Sequence, residues 1–213
     1  MLSLLLFTGV SAVHVGAKIV GARHVDRATK AALLPVLALR VVAGPYPGRR
    51  TASLLTATLT AGWIGDLTID RSFRTGLAAF LADHLGMIAL FSSASRRRIA
   101  PWSVLAIPWL AAVLVAVRPS RSGTLFPVLA TYGAVLATMA ATATRGNRRT
   151  AVGGILFVIS DTVFALRRLT PWLRSPRWGA AVMASYAAAQ ALLVDGALDS
   201  VPIRSARRDS RAR

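Results

Sequence analysis

The sequence predicts an all-α, polytopic membrane protein: a compact bundle of eight transmembrane helices joined by short loops. Composition gives the first indication, because 54% of the 213 residues are hydrophobic and only 16% are charged. The mean hydropathy is +0.55. Spacing gives the second, since eight spans of roughly 20 residues use about 160 residues and leave about 50 for loops and tails. We therefore expect residues 1–200 to form a single transmembrane domain, with no room for a soluble one.

The predicted spans follow one another along the chain with little between them. They are residues 2–20, 28–44, 52–69, 76–93, 102–117, 125–143, 151–166 and 178–198. The first has no basic residue before its apolar run, so it is interpreted as a retained span and not as a signal peptide. Pro108 lies inside the fifth and is expected to kink or break it.

The formal net charge is +18, carried by 24 arginines and two lysines. Most arginines lie at the predicted span boundaries, which indicates contact with lipid headgroups and control of orientation. Nucleic acid is excluded as a partner because no basic face is interleaved with aromatic stacking residues. The protein is expected in a bacterial plasma membrane, and the charge count favours cytoplasmic termini. Residues 201–213 are predicted to be a disordered basic tail. Cysteine is absent and only three histidines occur, so neither a metal site nor a cofactor is expected.

All eight acidic residues are aspartates, and four of them fall in apolar stretches. An ionisable group in the bilayer costs a few kcal/mol or more, so it usually marks a functional site. Asp66 and Asp161 lie well inside predicted spans and are the strongest candidates. Asp195 lies near a span end and is interpreted as interfacial. Asp83 is expected to point to a neighbouring face and to pair with an arginine.

Helical spacing places several polar residues on shared faces. Phe80 precedes His84 by four residues, and Tyr186 precedes Gln190 by the same interval. At 1.5 Å per residue, His84, Gln190 and Asp161 reach similar depths near mid-membrane. Asp66 and Lys30 lie closer to the side opposite the termini. A cavity opening toward that side would be lined by all five of these residues. The recurring spacing is also consistent with a repeat of four spans.

These pieces, taken in order, resemble the YhhN-type integral membrane lysoplasmalogenases. The matching pieces are Thr29-Lys30 with Leu33-Leu34-Pro35, Gly65-Asp66, Phe73-x-x-Gly76-x-x-x-Phe80-x-x-x-His84, Tyr132 with Met139, Gly154-x-x-Phe157-x-x-Ser160-Asp161, and Tyr186-x-x-x-Gln190. The chain departs from the family pattern at Ala31, at Asp83 and at Met87, where the family often has Pro, a small apolar residue and Tyr.

The resemblance implies hydrolysis of the vinyl ether bond of lysoplasmalogens, which releases a fatty aldehyde and a glycerophospho-ethanolamine or -choline. Asp66 and Asp161 would be catalytic; substrate would be bound by Lys30, His84, Tyr132, Tyr186 and Gln190. The reaction needs an acid and a base, which paired carboxylates in different environments can supply. Asp161, flanked by Phe157 and Phe164, is predicted to be the acid and Asp66 the base, with the reverse left open. Lys30 would hold the phosphate.

Two other classes of function are compatible with the same residues. A small proton-coupled transporter could use the aspartates as a proton relay. A non-catalytic membrane scaffold is the third class, but it leaves the buried acids without a role. The partners expected under the leading hypothesis are a lysophospholipid substrate and the surrounding membrane lipids.

Overall fold

The computed structural model describes residues 2–43, 48–94 and 98–200, and within these ranges the chain forms helices and turns without a strand. The predicted basic tail, 201–213, lies outside the described residues. The helices are α1 (Leu2–Val20), α2 (Arg23–Val42), α3 (Arg49–Thr68), α4 (Phe73–Ala94), α5 (Ala106–Ala116), α6 (Pro119–Ser122), α7 (Phe126–Ala143), α8 (Arg148–Leu169) and α9 (Pro176–Ser200). Short 3₁₀ turns precede α5, α7 and α9.

All eight predicted segments are helical, but the prediction of eight transmembrane spans is corrected. Within the described ranges, five helical stretches are long and apolar enough to cross a membrane: Leu2–Val20, Phe73–Ser93, Pro119–Ala143, Arg148–Leu169 and Pro176–Asp199. α2 falls short because its first turns add Arg23, Asp26 and Arg27 to the apolar segment. α3 likewise begins with two arginines and is rich in threonine, and α5 has only 11 residues.

Seven of the long helices close into a ring. In the order α9, α1, α2, α3, α4, α7 and α8, each packs against the next, and α8 packs back against α9. α5 lies outside this ring against α7, and none of its residues is buried. The polar residues of interest lie on α2, α3, α4, α7, α8 and α9, which all belong to the ring, while α5 only borders it.

Small residues bring α8 close to both of its neighbours. A Cβ added at Gly153 would lie 3.1 Å from the Ala189 carbonyl oxygen on α9, and one at Gly154 would lie 3.1 Å from the Ala140 Cα on α7. Close backbone approach of this kind is how helices associate where no hydrophobic force drives them together. α8 begins with a capping box in which Asn147 and Thr150 exchange hydrogen bonds.

The turn between α3 and α4 depends on Gly76. A Cβ at this position would lie 2.5 Å from the Cα of Ile69, a backbone atom that cannot rotate away. We expect Gly76→Ala to lower the free energy of unfolding in detergent by about 1–3 kcal/mol, the usual cost of overpacking. Gly9→Ala is the matched control, because nothing lies within 4 Å of the added carbon. Equal unfolding midpoints for the two variants would contradict the close packing at this turn.

Candidate active site

Asp66 lies near the end of α3 and faces the inside of the ring. It is 4% exposed, and its Oδ2 accepts a hydrogen bond of 3.0 Å from the Tyr186 hydroxyl on α9. The ring of Phe80 on α4 fills the space beside Gly65, where an added Cβ would lie 2.9 Å from it. Glycine before the aspartate thus lets α3 and α4 approach closely enough to cover the carboxyl group.

Asp161 is held by a second tyrosine. The Tyr132 hydroxyl on α7 donates a hydrogen bond to its Oδ2, and Nε2 of His84 on α4 lies 2.9 Å from the same hydroxyl oxygen. Since the tyrosine proton goes to the aspartate, Nε2 of His84 must carry the proton of the second hydrogen bond. The His84 Nε2 atom is also 3.6 Å from Oδ2 of Asp161. Three helices therefore meet at one carboxylate.

Both aspartates open onto one narrow pocket, here called the central pocket. It encloses about 430 Å³ between protein atoms, including the part that is open to the surroundings. Its lining residues are Lys30, Asp66, Ile69, Leu77, Phe80, Tyr132, Ser160, Asp161, Phe164, Val182, Met183 and Tyr186. The pocket therefore joins Lys30 to the two aspartates and two tyrosines singled out in the sequence. His84 and Gln190, which were predicted to share this cavity, lie behind its lining and are fully buried.

Positive charge lies at the end of the bundle where α2 begins and α3 ends. Lys30 Nζ donates a hydrogen bond of 2.8 Å to Asp70 Oδ2 in the turn after α3. Partial burial acts to raise the pKa of Asp70, but the hydrogen bond and charge of Lys30, with Lys18 and Arg168, hold that pKa below its ordinary value. The Arg168 guanidinium lies 4.4 Å from the centre of the Phe73 ring and 5.5 Å from that of Phe164. Phe164 lines the central pocket, so both cations lie beside it.

A third buried carboxyl group lies deeper in the ring. Asp83 is fully buried, and its Oδ2 accepts a hydrogen bond of 3.1 Å from the Gln190 amide on α9. The expected arginine partner is thus replaced by glutamine. Asp195 does pair with arginine: its Oδ1 lies 2.8 Å from Arg40 Nε, at the end of the bundle away from Lys30.

Two residues near the pocket were missed in the sequence. Arg168 was assigned to a span boundary, although its spacing of four from Phe164 and seven from Asp161 places all three on one face of α8. Trp109 was not singled out, although its indole Nε1 donates a hydrogen bond of 3.0 Å to Thr162 on α8. Helical spacing was a usable signal for Arg168, whereas Trp109 depends on the packing of α5.

The comparisons with known proteins agree with the sequence motifs. The model of the YhhN family matches residues 25–197, a range that includes every residue of the central pocket. No curated protein matches the chain, and no solved structure does. Because the family model covers most of the sequence, the chain belongs to the YhhN family.

Proposed function

We propose that this protein is a membrane hydrolase that cleaves the vinyl ether bond of lysoplasmalogens to a fatty aldehyde and a glycerophospho-base. The observation that carries the proposal is the pair of carboxylates, Asp66 and Asp161, on one pocket that also holds Lys30. Each carboxylate is fixed by a tyrosine from a different helix. The apolar remainder of the lining suits a lipid substrate.

Hydration of the vinyl ether to a hemiacetal requires two proton transfers and one water. Protonation of the alkene carbon remote from oxygen gives an oxocarbenium ion, and water adds to the adjacent carbon with loss of a proton. The resulting hemiacetal collapses to the aldehyde and the free glycerol hydroxyl. An acid delivers the first proton, and a carboxylate accepts the proton of the attacking water, a division of labour that paired carboxylates also achieve in glycoside hydrolysis.

The environments of the two aspartates favour Asp66 as the acid and Asp161 as the base, the reverse of the first assignment from the sequence. Asp161 is 15% exposed at its side chain, receives a hydrogen bond from Tyr132 and has His84 Nε2 at 3.6 Å. Contact with solvent and a hydrogen-bond donor both stabilise the ionised form of a carboxylate. Asp66 has Tyr186 as its hydrogen-bond donor and is more deeply buried. Deeper burial with the same single hydrogen bond favours the neutral acid.

Aldehyde release by purified protein tests the proposal. Detergent-solubilised protein is expected to release fatty aldehyde from lysoplasmenyl-ethanolamine or -choline but not from the saturated alkyl ether analogue. In D₂O the aldehyde should carry one deuterium on its α-carbon, because the proton comes from an acid in exchange with solvent. Absence of aldehyde from every vinyl ether lysolipid tested would overturn the proposal.

Asp83 favours a second candidate function, proton-coupled transport, because hydrolysis leaves this buried carboxyl group unused. With Asp66 and Asp161 it places three carboxyl groups within the ring, an arrangement also found in proton relays. Uptake assays in proteoliposomes separate the two functions. Uptake of lysolipid that depends on a proton gradient, without aldehyde release, would favour transport over hydrolysis.

Lys30 is proposed to bind the substrate phosphate with an N–H group other than the one that it donates to Asp70. A charged hydrogen bond of this kind contributes about 1.5–3 kcal/mol, so Lys30→Met is expected to raise KM by about tenfold or more with kcat little changed. Lys18→Met is the matched control, because the other lysine of the chain pairs with Asp26 and does not line the central pocket. Steady-state kinetics with lysoplasmenyl lipid would measure both, and equal KM values would contradict a phosphate role for Lys30.

A further inference from the structure

A second pocket, here called the side pocket, lies between α4, α5, α7 and α8. It encloses about 420 Å³ between protein atoms, including the part open to the surroundings. Its lining includes Leu77, Val113, Leu136, Phe164 and Ala165. The side pocket exists because α5 is short and packs outside the ring, which leaves the space between α7 and α8 incompletely filled.

The side pocket and the central pocket meet at the proposed reaction centre. Four residues line both: Leu77, Tyr132, Asp161 and Phe164. A molecule with one part in each pocket would therefore place the bond between those parts against Asp161. In a lysolipid with a vinyl ether, that bond joins the hydrocarbon chain to the glycerol.

The polar groups of the side pocket are concentrated at this junction. Tyr132 and Asp161 belong to it, and the remaining polar side chain, Thr162, is already engaged. Its hydroxyl donates to the Val158 carbonyl oxygen at 2.6 Å and accepts from the Trp109 indole at 3.0 Å. Beyond the junction the pocket thus offers an apolar surface with no hydrogen bond to form. Of the nearby cationic groups, Lys30 lines the central pocket and not the side pocket, whereas Arg168 lies over the rings of Phe73 and Phe164 at the edge of the side pocket.

We propose that the side pocket receives the hydrocarbon chain of the substrate and that Trp109 limits the length of chain accepted. This inference rests on the proposed function, because it assigns the two halves of a lysoplasmalogen to the two pockets. The glycerophospho group lies in the central pocket by Lys30, the vinyl ether lies at Asp161, and the chain extends between α5 and α7.

Trp109 closes the far end of the side pocket and so limits the length of the chain, because it separates this pocket from a third pocket. The third pocket is lined by Trp109 together with Trp102, Ala140, Ile155 and Ile159. Trp109 is thus common to both linings, and its hydrogen bond to Thr162 fixes the indole between them. Removal of the indole would join the two apolar spaces into one longer channel.

Gly133 limits the width of the side pocket from the α7 side. A Cβ at Gly133 would lie 3.1 Å from Leu110 Cδ1 on α5. Because Gly133 also lines the pocket, a larger residue there would occupy part of the chain's space and push α5 away. Variants at Trp109 and Gly133 should therefore change chain preference in opposite directions.

Competition between lysoplasmenyl lipids of different chain length tests the inference, with the released aldehydes identified by mass spectrometry. Each additional buried CH₂ contributes about a factor of four to binding. Trp109→Ala is therefore expected to raise kcat/KM for chains longer than the preferred length on the order of tenfold relative to shorter ones. Gly133→Val should shift preference to shorter chains. Trp102→Ala is the matched control, because this tryptophan lines the third pocket and not the side pocket, and its chain profile should equal that of the wild type. Equal profiles for Trp109→Ala and Trp102→Ala would overturn the inference.

Photolabelling of the wild-type protein gives an answer that does not require hydrolysis or a stable variant. The probe is a saturated alkyl ether lysolipid with a diazirine at the chain end, which has no vinyl ether to cleave. Labels on Trp109, Val113 or Leu136 that excess lysolipid removes, and diacyl phospholipid does not, would support the chain site. Labels confined to other surfaces, or removed equally by diacyl phospholipid, would overturn it. Such labelling without aldehyde release would refute hydrolysis alone, and aldehyde release with labels elsewhere would refute the side-pocket inference alone.

Discussion

Replacement of Asp161 by Asn is expected to lower kcat for vinyl ether hydrolysis by about 10²–10⁴, the usual contribution of a positioned acid or base. Asparagine preserves the size of the side chain and an oxygen that accepts from Tyr132, so the ring of helices should remain intact. What it removes is the ability to take a proton from the attacking water. Aldehyde release per mole of purified protein measures the effect, and the unfolding midpoint in detergent verifies the fold.

The matched control for this variant is Asp195→Asn. Asp195 also lies in an apolar stretch of the sequence, but its side chain pairs with Arg40 and Arg149 away from the central pocket. We expect this variant to keep its hydrolytic rate while losing some stability. Undiminished activity in Asp161→Asn, measured beside the same control, would remove Asp161 from the mechanism.

Replacement of Asp66 by Asn is expected to reduce kcat by a similar factor, with a different pH dependence. If Asp66 delivers the proton, hydrolysis that remains in the variant must take its proton from hydronium. The residual rate should then rise in proportion to hydronium concentration as the pH falls. Asp161→Asn keeps the acid, so its rate should level off at low pH, once Asp66 is fully protonated.

The pH–rate profiles of both variants, measured over the same range, decide the assignment. In Asp66→Asn the Tyr186 hydroxyl can still donate to the side-chain oxygen of the introduced asparagine, so a collapse of the pocket is not expected. A rate that rises with hydronium without levelling off in Asp161→Asn, together with a plateau at low pH in Asp66→Asn, would restore Asp161 as the acid. Full activity in both variants would refute carboxylate catalysis altogether.

Most of the helices could be predicted because each one is marked by an apolar segment that is local in the sequence. Each apolar segment became a helix, and the segment boundaries are close to the observed ones. The number of spans was wrong because α2 and α3 extend through charged turns that an apolar-segment boundary leaves out, and because α5 has only 11 residues. The closed ring and the outer position of α5 could not be predicted, since packing order depends on contacts between distant segments.

The parts of the candidate site that could be predicted are those where a charged residue type occurs in an apolar stretch of sequence, at a cost in free energy. Asp66 and Asp161 were identified because an acidic side chain in an apolar helix costs free energy and is usually retained for a function. Their tyrosine partners were known only as residues of a motif, since Tyr132 and Asp161 are on different helices. The burial of Asp83 and its hydrogen bond to Gln190 were not predicted, because Gln190 is neutral and a search for an oppositely charged partner does not identify an amide. No local sequence pattern predicts the side pocket, because the pocket arises from the shortness of α5.

The neighbouring residues Asp83 and His84 determine how α4 is turned about its own axis. Consecutive side chains on a helix point about 100° apart, and these two bind different neighbours, Gln190 on α9 and Tyr132 on α7. An apolar helix among other apolar helices has little to prevent it from rotating, since its apolar faces are about equally stable against lipid. Rotation of α4 in either direction would break one buried hydrogen bond or both. The two hydrogen bonds together therefore fix the rotation of α4 about its axis. They hold His84 at the depth and in the direction from which it can bond to Tyr132 while Tyr132 bonds to Asp161.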